Sequence, residues 1–383
     1  MNEINEAIMK QDFTLAAALL KNGGQWDIQP FMAAQAYQRI IEANAFELLE
    51  LFIEKEHISL DVFEYEKFEY TIFSMFSKAP ATEELLEFMD KLLPQIENID
   101  DELMGVTWLA YSVENRSALP FIQKLIDHGC DVSRISSRGE NLLFYTQDIQ
   151  IIRFLLDEGL NVNAQNAGGN TVMFEAIARK NTELVELYLQ YGAELNIQNK
   201  NGETPYHKAF FTAMDTDLVE LLFNHEPIRL DLKNKNGQTF FFEFADYSPL
   251  SWDTEIKLMQ KLLEAGADIF QAERNAYYEE KTPAQIIALK SLAGLELVAG
   301  QDDFDANRQD NAGNSWLHYV CSENLNYEQH KAQEMYKKVK LLLERGASPG
   351  LVNDQDKTPV DMAQDDDLKS KTLSLLLKHL STK

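Results

Sequence analysis

The chain has 383 residues, 45% hydrophobic and 25% charged, which is too long for one ordinary compact domain and too apolar for general disorder. Its formal net charge of -27 at pH 7 argues against nucleic acid and anionic lipid as partners. Two distant cysteines, Cys130 and Cys321, exclude a disulfide framework; no apolar run is long enough to span a membrane, and the opening "MNEINEAIMKQDF" lacks a signal-peptide pattern, so a cytoplasmic setting is expected.

The acidity is uneven. Residues 1–130 hold 23 Asp/Glu against 9 Lys/Arg, a net of -14. Such a field steers a basic protein inward and also keeps a long surface soluble.

In chain order, the first 100 residues read as helix pairs at 5–28, 31–63 and 67–98. "FELLELFIEKEHISLDV" and "EELLEFMDKLLPQIENID" each look like a helix running into an extended finger. Between them "VFEYEKFEYTIFSMF" (62–76) mixes aromatic residues with Glu64, Glu66 and Glu69. Its rings belong either to the core or to an exposed anchor flanked by acids.

From residue 102 the chain repeats itself. "ELVELYLQYGAELNIQNKNGET" aligns with "DLVELLFNHEPIRLDLKNKNGQT", and "IQIIRFLLDEGLNVNAQNAGGNT" precedes both. A threonine-like position recurs at Thr107, Asn141, Thr171, Thr204, Thr239, Thr282, Ser315 and Thr358, with a period near 33 and two longer intervals of 43. Repeats are expected at 102–135, 138–165, 168–199, 201–233, 236–270, 280–308, 311–353 and 356–381. Within "NGETPYHKAF" (201–210), Gly202 permits a positive-φ turn, Thr204 can cap a helix, and Pro205 suits its first position. "DLVELLFN" then supplies a second amphipathic helix through Leu218, Leu221 and Leu222. Each repeat is thus helix, turn, helix, finger. Insertions lengthen it at 246–255, 272–281 and 322–335, where they are tolerated drift or binding elements.

The "G-x-T-P-x-H-x-A" pattern at this period closely resembles the ankyrin repeat. The resemblance implies a mostly α ankyrin-repeat solenoid of about 9–11 helix-turn-helix repeats with hairpin-like fingers. Residues 1–100 would be divergent, cap-like repeats, continuous with residues 101–383 as one elongated body. It also implies that His207 and His318 are struts hydrogen-bonded to backbone between neighbouring repeats, rather than catalysts.

Other motifs reduce to the same architecture. "QDDFDANRQDNAGN" (301–314) superficially resembles a calcium loop, but Arg308 stands where such a loop needs glycine, and a finger fits better. "QDDDLKS" (364–370) suits a helix start. "TFFFEF" (239–244) occupies a first-helix position and reads as core. Zinc spacing, a Walker loop, a Rossmann fingerprint and a nucleophile elbow are all missing from the sequence, so no cofactor or metal is expected.

By resemblance the concave face, made of fingers and first helices, binds a protein. Candidate contacts are Asn166, Lys200, Asn201, Lys235 and Asn236 at finger tips, Lys208 and Phe211 on a first helix, and the acidic Glu64, Glu66 and Glu69. The expected function is a non-catalytic, monomeric binder of a basic protein partner, in its narrower form an inhibitor or immunity-type protein. A bacterial effector or scaffold is an alternative. An enzyme with a site hidden in the first 100 residues and a self-assembling array are the remaining readings.

Overall fold

The computed structural model describes residues 3–26, 30–275, 277 and 279–381. The expected repeat boundary at 28, and Ala276 and Tyr278 of the 272–281 insertion, lie outside the described residues. The chain divides into two compact units, Met1–Val172 with Glu186–Ala193 and Met173–Val185 with Glu194–Lys383.

The first unit holds α1 (Glu3–Met9), α2 (Phe13–Lys21), α3 (Pro30–Glu42), α4 (Phe46–Glu54), α5 (Ile72–Lys78), α6 (Glu83–Leu92), α7 (Trp108–Glu114), α8 (Leu119–Asp127) and α9 (Ile149–Asp157). Side-chain caps start several of them: Thr71 accepts from Ser74 N–H, Thr82 from Leu85 N–H and Thr107 from Ala110 N–H. The first helix of each pair stacks on the next, α1 on α3, α3 on α5 and α5 on α7, while α2 packs on α4 and α6 on α8. The N-terminal helix pairs therefore stack on one another without the Thr-Pro signal. Phe52, Phe73, Phe76, Trp108 and Phe121 fill the layers between them. The Trp108 indole N–H donates to Ser77 Oγ at 3.0 Å, satisfying a donor that would otherwise be buried without a partner.

One expected helix pair is corrected. In the repeat at 138–165 the first helix is only a 3-10 turn, Leu142–Phe144. The next helix is already capped by Asp148, which leaves no room for a longer one after Asn141.

Helices α10 (Val172–Ala178) and α11 (Thr182–Gln190) contribute residues to both units. The second unit continues with α12 (Pro205–Lys208), which runs into a π-helical turn at Ala209–Ala213, then α13 (Thr216–His225), α14 (Phe240–Tyr247) and α15 (Asp253–Glu264). A hairpin follows, β1 (Glu273–Arg274) pairing antiparallel with β2 (Glu280–Lys281), so the 272–281 insertion is a lengthened finger. Then come α16 (Pro283–Lys290), α17 (Leu292–Ala299), α18 (Trp316–Cys321), α19 (Gln329–Glu344), α20 (Pro359–Met362) and α21 (Ser370–Ser381). First helices stack in the order α14, α16, α18, α20, and second helices in the order α13, α15, α17, α19, α21. Phe240, Phe241, Phe242 and Phe244 are all buried, as expected for "TFFFEF".

Three lysines close the ends of first helices in this unit. Lys290 Nζ donates to the carbonyls of Ala245 (3.0 Å), Asp246 and Ser248 (3.3 Å) at the end of α14. Lys338 Nζ donates to Leu289 at the end of α16 (2.8 Å), and Lys369 Nζ to Cys321 at the end of α18 (2.9 Å). Each lysine comes from the following repeat. A cation at a helix C-terminus meets both the orphan carbonyls and the negative end of the macrodipole. Lys338 and Lys369 are almost fully buried, so these bonds hold neighbouring repeats together in a dry setting.

Candidate partner-binding surface

The fingers are built on one recurring device. Ser136, Asn166, Asn199, Asn234, Asn275, Asp310 and Asn353 each accept, through one side-chain oxygen, the backbone N–H groups two and four residues ahead, at 2.8–3.2 Å. This is an Asx-type turn, with serine doing the same work at 136. In six of these fingers the residue three places on has positive φ: Gly139, Gly169, Gly202, Gly237, Gly313 and, at the last finger, Asp356 with φ 57. Gly202 has a second constraint. A Cβ there would lie 2.5 Å from Asn234 Cα of the next finger.

Successive fingers are joined by backbone rungs. Ala167 N–H donates to Arg138 C=O (2.6 Å), Lys235 N–H to Asn201 C=O (2.8 Å) and Asp354 N–H to Ala312 C=O (3.1 Å). Gln198 Nε2 adds a side-chain rung to Lys233 C=O at 2.9 Å. The residues at 301–314 form such a finger. Asp310 locks its tip, Asp305 accepts from Asn307 N–H, and the Arg308 guanidinium lies 3.9 Å over the Phe270 ring.

This lattice sorts the candidate contacts. Lys200, Asn201, Lys235 and Asn236 are exposed at the tips. Asn201 and Lys235 are brought together, with Lys235 Nζ donating to Asn201 Oδ1 at 3.0 Å. Asn166 does not stand with them. It is the lock residue of its finger, equivalent to Asn199 and Asn234, half-buried and with its Oδ1 given to Gly168 and Asn170. The second glycine in "NAGG" obscures that register. Lys208 is half-buried beside Glu203, 3.9 Å away. Phe211 sits on the π-helical turn and packs its ring 5.8 Å from Phe240 and 5.9 Å from Phe244, so much of it serves inter-repeat packing instead of a free groove.

The two histidines act as struts, each in its own way. His318 Nδ1 accepts from Ser315 N–H (3.0 Å), which puts the proton of the neutral ring on Nε2, and Nε2 meets Lys357 C=O of the next repeat at 3.0 Å. Burial holds the His318 pKa below its ordinary value. His207 Nδ1 accepts from Thr204 N–H at 2.8 Å, and the Thr204 hydroxyl turns to the same nitrogen at 3.1 Å. Across the repeat boundary, however, His207 Nε2 faces the Glu243 carboxylate at 3.5 Å, where a backbone group was expected. The acid arrives because "TFFFEF" replaces the usual first-helix sequence. Burial pushes the Glu243 pKa up, but the bonds from His207 and Asn234 outweigh it and hold the carboxyl below its ordinary value.

In the first unit, residues 62–76 split. Phe68, Phe73 and Phe76 are core, whereas Phe63 and Tyr70 are exposed. Tyr65 is half-buried and donates to Ser59 C=O at 3.1 Å. Glu64, Glu66 and Glu69 are all exposed. Both cysteines are buried free thiols; burial raises the Cys130 pKa, and pushes Cys321 up to about 12. Sequence reasoning missed the lock residues, although the recurring Asn or Asp three places before glycine was a visible signal.

Stacked helix pairs, locked fingers and struts between neighbours define a helical repeat protein of the ankyrin class. A family model of ankyrin repeats matches in three copies, at residues 109–199, 141–234 and 173–272. Residues 109–272 are thus built of ankyrin repeats, a protein–protein interaction module. It is similar to mouse Rabankyrin-5 (24% identity over 65% of this chain and 23% of that protein). It is also similar to the ANK repeat-containing protein nipk-1 of Caenorhabditis elegans (27% over 45% and 30%) and to the E3 ubiquitin-protein ligase KEG of Arabidopsis thaliana (26% over 39% and 10%). The chain thus spans at most 30% of the length of these relatives. Among the described residues no helix is long and apolar enough to cross a membrane.

Proposed function

We propose that this chain is a non-catalytic binding protein that takes a basic protein partner. The observation that carries the reading is the charge, -27 overall and -14 within residues 1–130. The exposed Glu64, Glu66 and Glu69 alternate in sequence with the exposed rings of Phe63 and Tyr70, a combination that anchors an apolar side chain while attracting cations. The exposed lysines 200 and 235 supply a separate, basic point of contact in the second unit.

In its narrower form the protein is an inhibitor that blocks a basic enzyme by presenting these carboxylates, acting as a monomer in the cytoplasm. Once the partner is isolated with the full chain as bait, titration calorimetry tests the reading. Replacing Glu64, Glu66 and Glu69 together by glutamine is expected to weaken binding about tenfold. A partner of acidic surface charge, or unchanged affinity, overturns it.

A further inference from the structure

Among the described residues, no hydrogen bond joins the segment 58–71 to its neighbour 95–106. Neither segment carries the Asn-x-x-Gly lock that zips later fingers together; Asp61 instead starts a 3-10 turn by accepting from Phe63 N–H. The two segments stand apart, and a cleft of about 760 Å³ opens between them.

Its lining has two characters. Phe73 and Trp108, both buried, reach it from α5 and α7, and the exposed Phe63 also lines it. Among the described residues five carboxylates, Glu56, Asp61, Glu64, Glu97 and Asp101, line the same cleft, and no lysine, arginine or histidine does. Like charges gathered around an apolar gap repel one another until a cation enters.

We infer that this cleft is a seat for one extended, lysine- or arginine-bearing segment of a protein partner. The aliphatic stems would lie along Phe63 and the apolar floor while the cationic heads meet the carboxylates, the division that long basic side chains favour. The inference rests on the basic-partner reading above and deepens it by naming where the partner inserts.

The test uses the full chain and two labelled synthetic peptides of equal length, one alternating arginine with leucine and one alternating glutamate with leucine, read by fluorescence anisotropy. The basic peptide is expected to bind and the acidic one not to. Glu56→Gln with Glu97→Gln should weaken binding about tenfold, and Phe63→Ser about fivefold, whereas Glu47→Gln with Glu87→Gln, equal in charge, exposed and outside the cleft, should change it less than about twofold. Circular dichroism confirms that each variant is folded. Equal losses from the two glutamate pairs mean that the overall field and not the cleft holds the peptide, which overturns the cleft and leaves the basic-partner reading standing. Failure of the basic peptide to bind also overturns the cleft. The partner reading has its own independent test in the isolated complex.

Discussion

His207 of one repeat and Glu243 of the next face each other at 3.5 Å in a buried site, Nε2 to Oε2. His207 is fixed from behind by Thr204 N–H, and Glu243 is held from the side by Asn234 Nδ2 at 2.8 Å. The pair locks two first helices in register without any backbone hydrogen bond between them.

Glu243 has a folded-state pKa held below its ordinary value, so the sign of its pH dependence is set. Its contribution is present in full above the unfolded value of about 4.3 and fades as pH falls through the folded value. Glu243→Ala should cost about 1–3 kcal/mol at pH 7, because it strands a buried imidazole N–H. Denaturant titrations of wild type and variant at pH 7 and pH 3.5 check this; the gap should shrink at the lower pH.

His318 titrates in a different window. Its folded pKa is depressed, so its contribution is present above the unfolded value of about 6.5 and is lost as pH falls through the folded one. Wild type should therefore be less stable at pH 5.5 than at pH 7.5. His318→Asn keeps an acceptor for Ser315 N–H but cannot titrate. It should cost about 1–2 kcal/mol at pH 7.5 and flatten the pH slope, as measured by thermal melts in the two buffers.

The finger lock needs an acceptor oxygen and not an amide as such, since Asp310 serves as well as asparagine. Asn166→Ala should destabilise by about 1–2 kcal/mol, and Asn166→Asp, which keeps the acceptor for Gly168 and Asn170, by much less. A change of the same size in both variants, by equilibrium unfolding, would contradict the lock.

Gly192 and Gly202 separate two reasons for glycine. Both have φ near +80, but a Cβ at Gly192 meets nothing within 4 Å, while one at Gly202 would strike the Asn234 backbone. Gly192→Ala should cost about 1 kcal/mol from backbone strain alone. Gly202→Ala should cost at least about twice that, because the next finger must also move.

Much of this was legible in the sequence because the repeat signals are local. A Thr-Pro start, an i, i+3, i+4 apolar stripe and a turn glycine each act within a few residues, so their recurrence marked the central repeats. The aromatic "TFFFEF" was readable as core because its position in the repeat fixes which face it occupies. What could not be read were choices made between repeats. Nothing local says that Glu243 will meet His207, that Lys338 will reach the end of α16, or that Phe211 will turn onto Phe240. Asn166 was displaced by a one-residue ambiguity in a glycine pair. The cleft was hidden for the same reason, since it arises from rungs that the segments 58–71 and 95–106 fail to form.

The claim that acidity selects the partner is tested most directly by association kinetics. The association rate constant of the isolated partner with the full chain should be followed from low to high ionic strength, for wild type and for Glu64→Gln/Glu66→Gln/Glu69→Gln. The wild-type rate should fall steeply as salt rises, and the variant should start severalfold lower with a shallower slope and a nearly unchanged dissociation rate. Identical salt slopes for the two proteins, or a rate that rises with salt, would contradict the claim.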